Sequence, residues 1–218
     1  GGAFCRGGYA VQKTELPGSI QRRYEEITGV ISLDLRTGSG LSLTLSLPAS
    51  PESLQWAKEN LGITDFAEAE IISAHYEFPY LSVLVPSNLI TVESANELAS
   101  CLVKMRQKDY EVEKYLAILE AEQPETFQGA LELASERDNY ERVPMNLEAY
   151  GKASLRQIGA DKAVLKAIDR FMDFAGYGEE AMERDGVMKT RFAAIRRVSK
   201  PMEQQPQEQT MKFGGLAR

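Results

Sequence analysis

The chain has 218 residues, a formal net charge of −7, 43% hydrophobic and 26% charged residues. Those totals suit a soluble globular protein with room for one large domain or two to three small ones. They also exclude some classes: no apolar run approaches bilayer-spanning length, and the N-terminus lacks the basic-then-apolar plan of a signal peptide. The two cysteines, Cys5 and Cys101, are isolated. They make neither a disulfide framework nor a metal knot, so a reducing, cytoplasmic setting is expected.

The charge is unevenly spread. Residues 1–50 hold 5 basic and 4 acidic side chains, residues 51–150 hold 7 and 19, and residues 151–218 hold 13 and 9. The middle is therefore acidic and its natural partner basic, unless the acids simply solvate a helical surface.

In chain order, residues 1–28 are Gly-rich and then polar, and read as an N-terminal extension. Val30 to Leu35 alternates, with Ile31, Leu33 and Leu35 on one side. Leu41, Leu43, Leu45 and Leu47 alternate with Ser42, Thr44 and Ser46. Period two marks half-buried strands, and the Thr37-Gly38-Ser39-Gly40 turn chemistry between them predicts a hairpin. Ser50 followed by Pro51 starts a helix, Leu54, Ala57 and Leu61 form its stripe, and Gly62 caps it. Glu70–Tyr76 and Leu81–Val85 are strand candidates around a Pro79 break. Residues 29–89 thus read as an antiparallel sheet with one helix.

Residues 90–143 read as three short helices. Ala95, Leu98, Ala99 and Leu102, then Val112, Tyr115, Leu116 and Leu119, then Phe127, Ala130, Leu131 and Ala134 each run i, i+3, i+4, i+7. Thr91 and Asp109 are suited to cap the first two, and Pro124 to begin the third. Opposite or beside these stripes lie Glu93, Glu97, Asp109, Glu113, Glu120, Glu125, Glu132 and Glu136, with Asp138 just after. Glu93/Glu97, Asp109/Glu113 and Glu132/Glu136 are like-charge pairs four apart, each costing a few tenths of a kcal/mol. These nine residues are the candidate acidic, partner-binding surface.

Residues 144–198 read as a mixed α+β module. Ala163 to Phe174 is a predicted helix with Val164, Leu165, Ile168, Phe171 and Met172 inward. Gly176-Tyr177-Gly178 breaks it, Glu179 to Arg184 forms a helical turn, and Val187 to Val198 supplies a strand or two. Residues 199–218 read as a polar, mobile tail. The fold class is α+β: three small modules in a row, expected to be elongated.

No catalytic constellation stands out. His75, the lone histidine, sits in an alternating strand pattern and reads as structural. Gly176-Tyr177-Gly178 follows a helix, so it is not a dinucleotide fingerprint. No calcium-type ligand loop occurs, and no metal or cofactor is expected. Arg191, Arg196, Arg197 and Lys200 could touch phosphates, or form the polar face of a strand and linker.

Several stretches resemble the ArdA-type antirestriction proteins of conjugative elements. Ser46-Leu47-Pro48, a helix, Leu61-Gly62-Ile63-Thr64-Asp65 and an acidic strand near Tyr76-Glu77 are similar to that family's first module. Glu93-Ser94-Ala95-Asn96-Glu97-Leu98-Ala99 and the helix from Phe127 to Ala134 resemble its later helices. Met172-Asp173-Phe174-Ala175-Gly176-Tyr177-Gly178-Glu179-Glu180 resembles a segment of its last module. The pieces cover roughly residues 40–197 in the family's order.

The resemblance implies a non-catalytic, cytoplasmic, three-module homodimer. Such a protein mimics bent DNA and occupies the basic DNA channel of a type I restriction–modification enzyme, binding neither nucleic acid nor membrane itself. Carboxylates four residues apart on a helix are about 6 Å apart along its axis, close to the phosphate spacing of one strand. At about one duplex charge per 1.7 Å, the middle segment's excess of acids matches about six base pairs. The alternative is a mobile-element adaptor that binds a basic protein partner.

Overall fold

A computed structural model describes residues 29–198. The expected N-terminal extension (1–28) and polar tail (199–218), with Lys200, lie outside the described residues. The described chain is α+β, with eight helices and two small antiparallel sheets. It divides after Glu77 into two compact units.

In the first unit, alternation sets the sheet. Strand β1 (Ile31–Thr37) pairs with β2 (Ser42–Leu47), Ile31 opposite Leu47 and Leu33 opposite Leu45. The turn closes through a Gly40 N–H donated to the Thr37 carbonyl at 3.0 Å. Gly40 sits at φ +87°, where a side chain would be strained. Strand β3 (Ala69–Tyr76) pairs with the other side of β1, giving the order β2-β1-β3. Helix α1 (Pro51–Leu61) packs on β2. The Ser50 hydroxyl caps it by accepting from the Ser53 N–H at 3.2 Å, and Gly62 ends it at φ +66°. Ala57 and Leu61 are buried with Ile31, Leu33, Leu35, Leu45 and Leu47. That removal of apolar area from water is the main force holding the unit together.

The second unit begins with a correction. Leu81–Leu84 is a short helix, α2, not a strand. The Pro79 turn starts it: Ser82 Oγ donates to the Pro79 carbonyl at 2.7 Å, and the Leu84 N–H reaches the Tyr80 carbonyl at 3.1 Å. A four-residue apolar run carries no period that separates helix from strand.

Helices α3 (Val92–Arg106), α4 (Glu111–Glu122) and α5 (Phe127–Ser135) follow as expected. Thr91 and Ser94 cap α3 reciprocally. Pro124 lies before α5 and not in its first turn; Thr126 caps the helix by accepting from the Gly129 N–H at 3.1 Å. The residue before α4 is Tyr110, at φ +65° and without a side-chain cap, so Asp109 does not perform that role. Residues 114–119 of α4 are all buried, a wider face than the expected stripe. The cause is position: α4 touches α2, α3, α5 and two strands, so it is enclosed on several sides.

Those strands are β4 (Tyr140–Val143) and β6 (Ala194–Arg197), which pair antiparallel, with β5 (Met188–Lys189) on the far side of β6. Pairing β4 with β6 joins the segments 90–143 and 144–198 into one unit. Ala117 and Ile118 of α4 pack directly on Tyr140, Ala193 and Ile195.

Helices α6 (Leu147–Gln157), α7 (Lys162–Ile168) and α8 (Phe174–Arg184) complete the unit, and α6 packs closely on α8. Two expectations are corrected here. Of the five side chains expected inward from 163–174, only Leu165 is buried, while Val164 is 48% and Phe171 88% exposed. The helix ends at Ile168, so the periodicity runs past it without a surface to face. Gly176-Tyr177-Gly178 lies inside α8, which Asp173 caps by accepting from the Ala175 and Gly176 N–H groups. Gly178 is there for contact: a Cβ would overlap the Leu147 carbonyl oxygen, and one on Gly151 would overlap that of Phe174.

Candidate acidic interface

Three packed helices position most of the acids. The Phe127 N–H donates to the Asn88 carbonyl at 3.1 Å, which sets the start of α5 beside the residues preceding α3. Arg137 Nε donates to Glu111 at 3.3 Å, which sets the start of α4 beside the end of α5. The helices therefore alternate in direction. Glu93 and Glu125 lie toward one end, and Asp109, Glu113, Glu136 and Asp138 toward the other, with Glu97 and Glu132 between. From Phe127 to Ser135 the rise is about 12 Å.

Eight of the nine candidates, Glu93, Glu97, Asp109, Glu113, Glu125, Glu132, Glu136 and Asp138, are exposed. Among the described residues none of these eight makes an ion pair; Glu132 accepts only a 3.3 Å hydrogen bond from Gln128. Their outward placement follows from the stripes: Ala95, Leu98, Ala99 and Leu102, and Phe127, Ala130, Leu131 and Ala134, are all buried.

Glu120 differs. It accepts from the Arg191 main-chain N–H at 2.8 Å and from Arg191 Nε at 2.6 Å. The main-chain N–H and the guanidinium together hold its carboxyl below the usual carboxylate range. Sequence offers no hint of this partner, 71 residues away.

The arginines of the last strand are likewise engaged. Arg196 pairs with Glu141, directly opposite it on β4, and with Asp185 at 3.3 Å, where Tyr150 also donates to Asp185 at 2.7 Å. Burial alone would raise the Asp185 carboxyl, but the Tyr150 hydroxyl and the neighbouring arginines outweigh it and the net shift is downward. Arg197 reaches Glu122 at 2.9 Å, and Tyr140 donates to the same oxygen at 2.7 Å. Burial and the Glu122 carboxylate push the Tyr140 hydroxyl up to about 12. The two arginines of β6 are thus spent on internal acids, whereas Arg142 of β4 is exposed and lies over the Tyr110 ring, 4.5 Å from its centroid.

One set of charges went unweighed in the sequence. Lys104, Arg106 and Lys108 are exposed at and just beyond the C-terminal end of α3. Cations are favoured there by the partial negative charge of the helix end. They sit toward the Asp109 end, so the stretch of single sign is the opposite one, with Glu93, Glu97 and Glu125.

His75 lies on the first unit's sheet, its Nε2 3.2 Å from Asp34 and 3.1 Å from Ser73. One ring nitrogen serves both partners, whereas a nucleophilic triad needs the two nitrogens to face opposite ways. The Ser73 and Thr44 hydroxyls donate to Asp34, and these bonds lead the lowering of its pKa. Among the described residues no group of three or more His, Cys, Asp or Glu side chains is arranged to hold a metal ion. Nor is any helix there long and apolar enough to cross a membrane. No family model matches the chain, and no curated protein is similar enough to it to count as a match.

Proposed function

We propose that the exposed acids of α3 to α5 dock into a basic nucleic-acid channel of another protein, as the resemblance to ArdA-type antirestriction proteins implies. The partner would be a type I restriction–modification enzyme. Inhibition would come from occupying its DNA site, without catalysis, in the cytoplasm and as a homodimer. One observation carries this reading: eight candidate carboxylates stand exposed and without ion pairs among the described residues, while the arginines of β6 are neutralised internally. Desolvated against a cationic channel, such groups release counterions from the partner's surface, and affinity then falls steeply with salt.

The test is competition. Duplex DNA should displace the protein from a type I methyltransferase, and a variant with Glu93, Glu97, Glu132 and Glu136 all changed to Lys should stay folded and lose inhibition. Retained inhibition by that variant removes the proposal. The adaptor reading is favoured by one separate observation, an apolar groove that opens beside Glu125.

A further inference from the structure

The groove is about 500 Å³ in volume and lies wholly within the second unit. Val83 and Leu84 of α2, Pro86, Leu119 and Pro124 supply its apolar lining, and Glu120, Gln123, Glu125 and Arg191 the polar part. Val83 is 77% exposed. Val83 joins Leu84, Pro86, Leu119 and Pro124 in one lining, and it is apolar surface gathered in a groove, not a single exposed side chain, that marks an interaction site. The lining is also held in place. The loop after Pro86 is tied to the start of α5 by the Asn88 carbonyl, and Asn88 Nδ2 donates to the Glu125 carbonyl at 3.4 Å. That tie holds Leu89 at φ +61°, a strained conformation for leucine, with its side chain 80% exposed.

Charge around the groove is one-sided. Arg191, the cation on its lining, is bonded to Glu120. Glu125 has no ion pair among the described residues, which leaves it the one unpaired charge of the lining there. Lys104, Arg106 and Lys108 are toward the C-terminal end of α3. An occupant therefore meets apolar side chains, a neutralised Glu120–Arg191 pair and one unpaired carboxylate, Glu125.

We infer that this groove receives the apolar side chains of a basic segment of a partner protein, with a flanking Lys or Arg meeting Glu125. The inference rests on the reading above that the partner is basic. It adds that recognition is not electrostatic alone: the apolar part of the lining favours a partner that supplies apolar side chains.

The experiment uses the full chain and two short fluorescent peptides of equal positive charge, one with two leucines between lysines, the other with serine in place of leucine. The leucine peptide should bind about tenfold tighter, the gain expected from burying one such side chain. Its amide shifts should centre on residues 83–85, 119–123 and 125. Val83→Arg, at an exposed position, should remove the leucine advantage and leave the circular dichroism spectrum unchanged. Equal binding of both peptides, or shifts confined to the outer faces of α3 and α5, overturns the inference. So does concentration-dependent shifting of the groove amides without peptide, which would mean that a second copy fills it. The quadruple lysine variant separates the two proposals: losing DNA competition while keeping the leucine preference supports both, whereas keeping competition sinks only the channel reading.

Discussion

The second unit holds two populations of carboxylates that look alike in sequence and behave differently in the fold. On α3 and α5, Glu93, Glu97, Glu132 and Glu136 face water without ion pairs among the described residues. On α4, on β4 and at the end of α8, Glu120, Glu122, Glu141 and Asp185 are each bonded to an arginine of the last strand or of the loop before it, or to both an arginine and a tyrosine. The difference is set by what covers each helix. α3 and α5 each keep one face free, while β4 and β6 lie against α4 and bring cations with them. Surface acids of this kind contribute little to stability and remain available to a partner; the half-buried ones hold the sheet onto the helices.

Four measurements test that division, and the largest effect concerns the apolar stripe both populations depend on. Leu98 is fully buried, so Leu98→Asp should cost about 4 kcal/mol and remove the cooperative urea transition of the second unit. Arg196→Met comes next. It leaves Glu141 and Asp185 without their shared cation, and with the guanidinium about one-fifth exposed the loss should be about 2 kcal/mol by urea titration. An Arg196→Met variant as stable as the parent would mean that the pairing contributes nothing.

Acid titration should show a smaller effect of defined sign. Asp185 and Glu122 have folded-state pKa values below their ordinary 3.8 and 4.5. Their contribution is therefore fully present above those ordinary values and is lost as pH falls through the lowered ones. Stability of the second unit should begin to drop near pH 4, and the Arg196→Met variant should show a shallower slope over that range. The smallest stability change belongs to the quadruple Glu-to-Lys variant. Glu93→Lys would put a cation at the positive helix start, Glu136→Lys would put one at the negative helix end where it is favoured, and the like-charge pairs stay repulsive by about the same amount. The net change in stability, read from the thermal midpoint, should be within a few tenths of a kcal/mol, against complete loss of partner binding.

Local rules were legible where the chain obeyed them alone. Ile31, Leu33 and Leu35 opposite Leu45 and Leu47, the Ser50–Pro51 start, the Gly62 stop and the Thr91 cap all depend on residues within a few positions of one another. The buried stripes of α3 and α5 are equally local. What sequence did not disclose depends on distance. Arg191 finds Glu120, and Arg197 finds Glu122, only because a sheet closes over α4. Helix α6 escapes a periodicity search because Tyr150, Gly151 and Ser154 are its buried residues, a narrow and partly polar face. Phe171 misleads in the other direction, since an aromatic at helical spacing reads as core and yet stands 88% exposed. Most of the candidate acids do lie on outer faces, because opposing an apolar stripe is itself a local property. Glu120 is the exception, for a long-range reason.

The crossing of α6 and α8 carries a warning for genetics. Gly151 and Gly178 meet carbonyl oxygens of the facing helix where even a methyl group has no room. A saturation-mutagenesis map would score both positions as intolerant of nearly every substitution, a profile usually taken as the mark of chemistry. Here it would report only how near two backbones lie, and a search for a reaction centre guided by such a map would settle on the wrong face of the molecule.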